Sequence, residues 1–97
     1  MTTINEYECS GEPFDESYVD RIVDNFAIAM KHKILINQFK GKPEPIPIPY
    51  CIERLEEETN ELIDATLHAD KTAVLMEAAD VACFALFVAL NFKGINE

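Results

Sequence analysis

The sequence predicts an all-α fold: about three main helices per chain, forming a bundle that a further copy completes. Three observations carry this expectation. Apolar residues recur at spacings of three and four through three long stretches. Strong breakers, "GKPEPIPIP" and "HADKT", separate those stretches and leave room for almost no strand. The chain is also 48% hydrophobic within only 97 residues, more than a single short domain readily buries, which points to a partner subunit.

The elements follow in order. Residues 1–13 are polar, end in a Gly-Glu-Pro break and read as a tail or loop; residues 14–97 form a single helical domain. Asp15 or Ser17 can cap a first helix running to about Phe39, with Val19, Ile22, Val23, Phe26, Met30 and Ile34 on one face. Ala27, Ile28, Leu35 and Ile36 widen that face, as suits a helix with two neighbours. Residues 40–49 are a proline-rich connector. Pro43, Pro45, Pro47 and Pro49 lack amide donors and force extended geometry on the residues before them, which makes a stiff spacer. A second helix spans about Tyr50 to Ala69, and a third about Thr72 to Phe92, with Gly94 as its C-terminal break.

Charge and cysteine usage narrow the class. A formal net charge of -10 argues against nucleic acid or an anionic membrane as partner. Cys9, Cys51 and Cys83 form no CxxC pair, which suits a reducing compartment better than a disulfide framework or a zinc site. No basic leader precedes an apolar core near the N-terminus, and the uncharged run Val81–Leu90 is too short to cross a bilayer. A cytoplasmic protein is expected.

The acidic residues are placed unusually. On the second helix Glu57, Glu58 and Glu61 fall within an arc of roughly 100°, with Ile52, Leu55, Thr59, Leu62 and Ile63 opposite. Like charges three and four apart destabilise a helix. A solvated acidic face, with Arg54 bonded across one turn to Glu57 or Glu58, is one reading. The third helix supports another. From Ala73 to Leu90 its only charges are Glu77 and Asp80, on one face with the more distant Asn91. If the two helices pack antiparallel through "HADKT", the two acidic faces meet beside one arginine, a donor set for a hard divalent cation such as Mg²⁺. No Cys/His cluster, Glu-x-x-His pair or EF-hand loop points to another metal.

"EETNE" (Glu57, Glu58, Glu61), followed after fifteen residues by "EAAD" (Glu77, Asp80), resembles the EExxE…ExxD signature of the MazG-like all-α nucleoside triphosphate pyrophosphohydrolases. That superfamily includes dimeric dUTPases and phosphoribosyl-ATP pyrophosphatases, and the resemblance covers residues 51–92. It implies a MazG-like helical bundle assembled as a homodimer or homotetramer. It further implies Mg²⁺-dependent hydrolysis of (deoxy)nucleoside triphosphates to monophosphate and pyrophosphate, with Mn²⁺ as a possible substitute. By the same resemblance Glu57, Glu58, Glu61, Glu77 and Asp80 would bind metal, Glu58 or Glu61 would act on the attacking water, and Arg54 would touch phosphate. Many relatives continue into another helix after the region of "NFKGIN", so Lys71 and Lys93 are the remaining phosphate candidates. Tyr50 could stack on a base while Asn37 or Gln38 reads its edge. Phe84 and Phe87 are expected as core or subunit contacts, Cys83 as a small buried hydrophobe, and His32 and His68 as surface or capping groups. The alternatives are a phosphoribosyl-ATP- or dUTP-specific hydrolase, a non-catalytic helical interaction module and an acidic nucleic-acid mimic.

Overall fold

The structure, a computed structural model, describes residues 10–68 and 70–94. It is all-helical among these residues: α1 spans Glu16–Ile36, α2 Ile48–His68 and α3 Lys71–Asn91. Residues 1–9 of the tail expected over 1–13 lie outside the described residues, as do Ala69 and residues 95–97.

Local chemistry explains each boundary. Asp15, not Ser17, caps α1 by accepting the Tyr18 amide at 3.1 Å, and the Ser17 hydroxyl donates to the same carboxylate. α1 ends three residues before the expected Phe39, and a separate 3-10 turn, Gln38–Lys40, carries the chain to Gly41 at φ +94°. α2 begins earlier than expected, at Ile48. Pro49 then sits in its first turn, where a missing amide costs nothing because the first amides of a helix have no intrahelical partner. Asp70 caps α3 through the Ala73 amide at 2.8 Å. Gly94, at φ +110°, lies just beyond the end of α3.

α3 is the central element: α1 and α2 both pack against it, and no comparable contact joins α1 to α2 among the described residues. The contacts are close because the buried residues are small: Ala29 on α1, Cys51 and Ala65 on α2, Ala79 and Cys83 on α3. The Cys83 thiol also donates to the Met30 carbonyl at 3.7 Å, linking α1 to α3. Burial pushes that thiol's pKa up, which keeps it protonated and unreactive.

The proline-rich connector is not a free spacer. Asn91, at the end of α3, accepts the Ile46 amide at 2.8 Å and donates to the Pro43 carbonyl at 2.9 Å and to Phe87 within its own helix. One side chain thereby satisfies two backbone groups that prolines on either side leave without ladder partners. It also holds the connector across one end of the bundle.

The apolar faces expected to form a core are only partly covered. Val19, Ile22 and Val23 of α1 are exposed, as are Ile52, Ile63 and Leu67 of α2. Phe26, Met30 and Ile34, further along α1, are half-buried against α3. The radius of gyration is 15.9 Å, against roughly 12–13 Å for a compact monomer of this length. α3 is the one described helix long and apolar enough to cross a membrane by length and composition, with mean hydropathy 2.1 in its most apolar window. The uncharged Val81–Leu90 run understated this, because the wider window tolerates the two acids.

Candidate metal and anion site

The α2 face that meets α3 has Cys51, Glu58 and Ala65 as its buried residues, with Arg54, Leu55 and Leu62 half-buried beside them. Glu58 is only 6% exposed. Opposite it, Glu77 and Asp80 stand one turn apart on α3. Each of these three acids offers an oxygen within 4.8 Å of the others. Two of their oxygens, Glu58 Oε2 and Glu77 Oε2, are buried with no hydrogen-bond partner. A buried carboxylate oxygen without a partner is costly, a cost that a cation or a bound proton offsets.

The electrostatics agree. Burial, reinforced by neighbouring Glu61 and Asp80 and opposed by Arg54, raises the Glu58 pKa to about 7. Burial also raises that of Glu77, with Asp80 and Glu61 adding to the effect and Lys33 opposing it. Glu61 stands close enough to act on both, yet it is itself exposed.

The other expected residues divide. Glu57 turns away from the trio and pairs with Arg54, because their i, i+3 spacing on α2 brings the two together at the edge of the cluster. Arg54 also donates to Glu58 at 2.7 Å and lies over the Phe84 ring at 5.2 Å, so it is held from three sides. Phe84 and Phe87, expected as packing residues, line a cavity as well.

That cavity, of about 530 Å³, lies between the end of α1, the connector and the α2–α3 seam. Glu58 and Asp80 form part of its wall, and Tyr50 and Asn37 also line it. The Asn37 amide donates to the Lys33 carbonyl at 2.9 Å, so the end of α1 orients it. Gln38 lies outside the lining. A second, more open hollow of about 490 Å³ is lined by Glu61, Glu77, Asn60, Asp64 and His68. The acidic cluster thus stands between two spaces, Glu58 and Asp80 facing one and Glu61 and Glu77 the other. His68 is exposed and near Asp64 (3.9 Å), in keeping with a surface role.

Lys71 and Lys93 line neither cavity. They sit at opposite ends of α3, roughly 30 Å apart, and Asp80 is in its middle, so neither belongs to the space beside the acids. The cations that do line the larger cavity are Lys33, Lys40, Lys42 and Arg54, half of the chain's eight lysines and arginines. Three of these four were not singled out by the sequence reading. A signal for Lys33 was present: it lies in the row Ala29–Lys33–Asn37, a lysine inside the stripe that α1 turns toward α3. Lys33 Nζ reaches Asp80 Oδ2 at 3.1 Å. Asp80 is therefore compensated by a lysine of another helix, a partner that the sequence did not suggest.

Comparison with family models, with curated proteins and with solved structures finds no match for this chain.

Proposed function

We propose that this chain is a divalent-metal-dependent nucleoside triphosphate pyrophosphohydrolase of the MazG-like type. The observation that carries the reading is one wall with two characters. The buried Glu58, one of whose oxygens has no partner, borders together with Asp80 a cavity whose remaining charged residues are all cations, in a chain carrying 18 acidic residues. Such a space suits a ligand that brings both a divalent cation and a polyanion, and a metal-bound nucleoside triphosphate is that ligand.

Glu58, Glu77 and Asp80 would hold Mg²⁺, or Mn²⁺ in its place, and Glu61 would complete the set from the edge. The ion would supply neutralisation of the phosphates and a more acidic bound water. Arg54, held by Glu57, Glu58 and Phe84, presents a pre-oriented guanidinium to phosphate. Tyr50 offers an aromatic face for the base, and Asn37 an amide edge. Glu61, exposed toward the second hollow, is the acid best situated to orient a water approaching from the side opposite the phosphates. Positioning and electrostatics dominate this chemistry, so a chain with only three glycines and no P-loop can perform it.

We assign the exposed apolar rows of α1 and α2 to a homo-oligomer, a dimer or a tetramer. The expanded radius of gyration supports this. Glu77 and Asp80 near the middle of α3 argue against a bilayer as the cover, since charges at the membrane centre are costly.

The test is pyrophosphate release from a panel of common and modified NTPs and dNTPs, with and without Mg²⁺. Turnover that requires Mg²⁺ and collapses in Glu58→Gln is expected. If neither chain turns over any nucleotide while both remain folded, the non-catalytic interaction module replaces the enzyme.

A further inference from the structure

Of the ion pairs among the described residues, Lys33–Asp80 is the one that joins two helices; the others lie within α2. Both partners are largely shielded, with side chains 19% and 23% exposed. Asp80 also belongs to the acidic trio, so the Lys33 ammonium sits on a carboxylate that a divalent cation at the trio would use. Lys33 at the same time lines the cavity with Lys40, Lys42 and Arg54. Arg54 is pinned by two carboxylates and a ring, whereas Lys33, on a flexible four-carbon stem, pairs among the described residues with Asp80.

We propose that Lys33 is an exchangeable counter-ion: it holds Asp80 while no metal is bound, and turns to the phosphates of the incoming nucleotide once a metal ion takes that carboxylate. This inference rests on the reading of the cavity as a site for metal and polyphosphate. It makes Lys33, not Lys71 or Lys93, the lysine that contacts substrate, and it couples the two ligands. Metal binding frees a cation for the phosphate, and phosphate binding removes a competitor for the metal.

The coupling has a signature that a merely structural lysine lacks. In calorimetric titrations of the intact chain, Lys33→Met should bind Mg²⁺ alone roughly 3- to 10-fold more tightly, because the competing ammonium is gone. The same variant should bind inorganic pyrophosphate in the presence of Mg²⁺ roughly 10- to 100-fold more weakly. Lys33→Arg should recover most of the pyrophosphate affinity. Loss of affinity for both ligands, or unchanged pyrophosphate binding, overturns the exchange. Wild-type chain that binds neither Mg²⁺ nor pyrophosphate removes the functional reading itself; wild type that binds both while Lys33→Met behaves identically removes only the role of Lys33. Should Lys33→Met fail to fold, Asp80→Asn provides the complementary measurement. With Lys33 released, pyrophosphate without metal should bind roughly threefold or more tighter than to wild type, and equal or weaker binding overturns the proposal.

Discussion

α2 and α3 are both 21 residues long and are built in opposite ways. α2 is amphipathic, yet the face it buries is mixed: Glu58 is buried and Arg54 half-buried beside Leu55 and Leu62, while Glu57, Glu61, Ile52, Ile63 and Leu67 face out. α3 is apolar on nearly every side, yet it meets α2 with its only two charges between Ala73 and Leu90. An ordinary surface helix does the reverse. The inward carboxylates destabilise the metal-free chain and the outward apolar row gains nothing from it. On the proposed reading, these two features are complementary to a cation inside and another subunit outside.

The largest effect should come from breaking the inner half of this contrast. Glu58→Gln keeps the shape and removes a buried charge. It should lower kcat by roughly 10²–10³-fold while raising the melting temperature of the metal-free chain near neutral pH. A residue needed only for packing would lower both, so a loss of activity accompanied by a loss of stability argues against the site.

The outer half is tested by Ile63→Asp. Burying an isoleucine is worth about 1.5–3 kcal/mol, so the charge should weaken self-association by one to two orders of magnitude in dissociation constant. Sedimentation equilibrium reads this directly. A wild-type chain that sediments as a monomer at every concentration would leave the apolar row without its assigned cover.

A pH series sharpens the comparison next. Glu58 titrates near 4.5 when unfolded and at about 7 when folded. Between those values the folded chain keeps a proton that the unfolded chain has lost, so stability falls as pH rises through this window and levels off above it. Glu77 is shifted in the same direction and adds to the trend. Without metal, the chain should be less stable at about pH 8 than at about pH 5, by on the order of 2 kcal/mol. Mg²⁺ should stabilise it most on the alkaline side, and Glu58→Gln should flatten the profile. Denaturant midpoints that rise with pH in the wild type would contradict the buried, unpaired state of Glu58.

The smallest effect concerns the end of α3, where polarity is fully satisfied. Asn91→Ala removes the side chain that bridges Pro43 and Ile46 and should cost about 1–2 kcal/mol. Because the connector lines the cavity, KM should rise severalfold with kcat nearly unchanged. Equal falls in kcat and stability would show that the clamp supports the fold more than the cavity.

Much of this was legible along the chain, because it depends on interactions within a few residues. Helix periodicity, a cap at Asp15 or Ser17 and the prolines are all local, and they place the three helices to within a few residues. The spacing of Glu57, Glu58 and Glu61, and of Glu77 and Asp80, likewise makes two acidic faces visible before any packing is known. It could not say which acids are buried. Glu57 and Glu58 are adjacent in sequence and share an arginine, but only Glu58 points into the seam, since the rotation of α2 against α3 decides between them.

What the sequence by itself determined is therefore the set of helices and the acidic rows upon them. Only the tertiary structure decided that α2 buries Glu58 while leaving Glu57 and Glu61 exposed, that Asn91 clamps the connector, and that Lys33 and Asp80, on different helices, form one ion pair. The physical reason is range. Helical periodicity and capping act over three or four residues, whereas a cation is brought to a carboxylate far along the chain by how closely small residues such as Ala29, Ala79 and Cys83 let the helices approach.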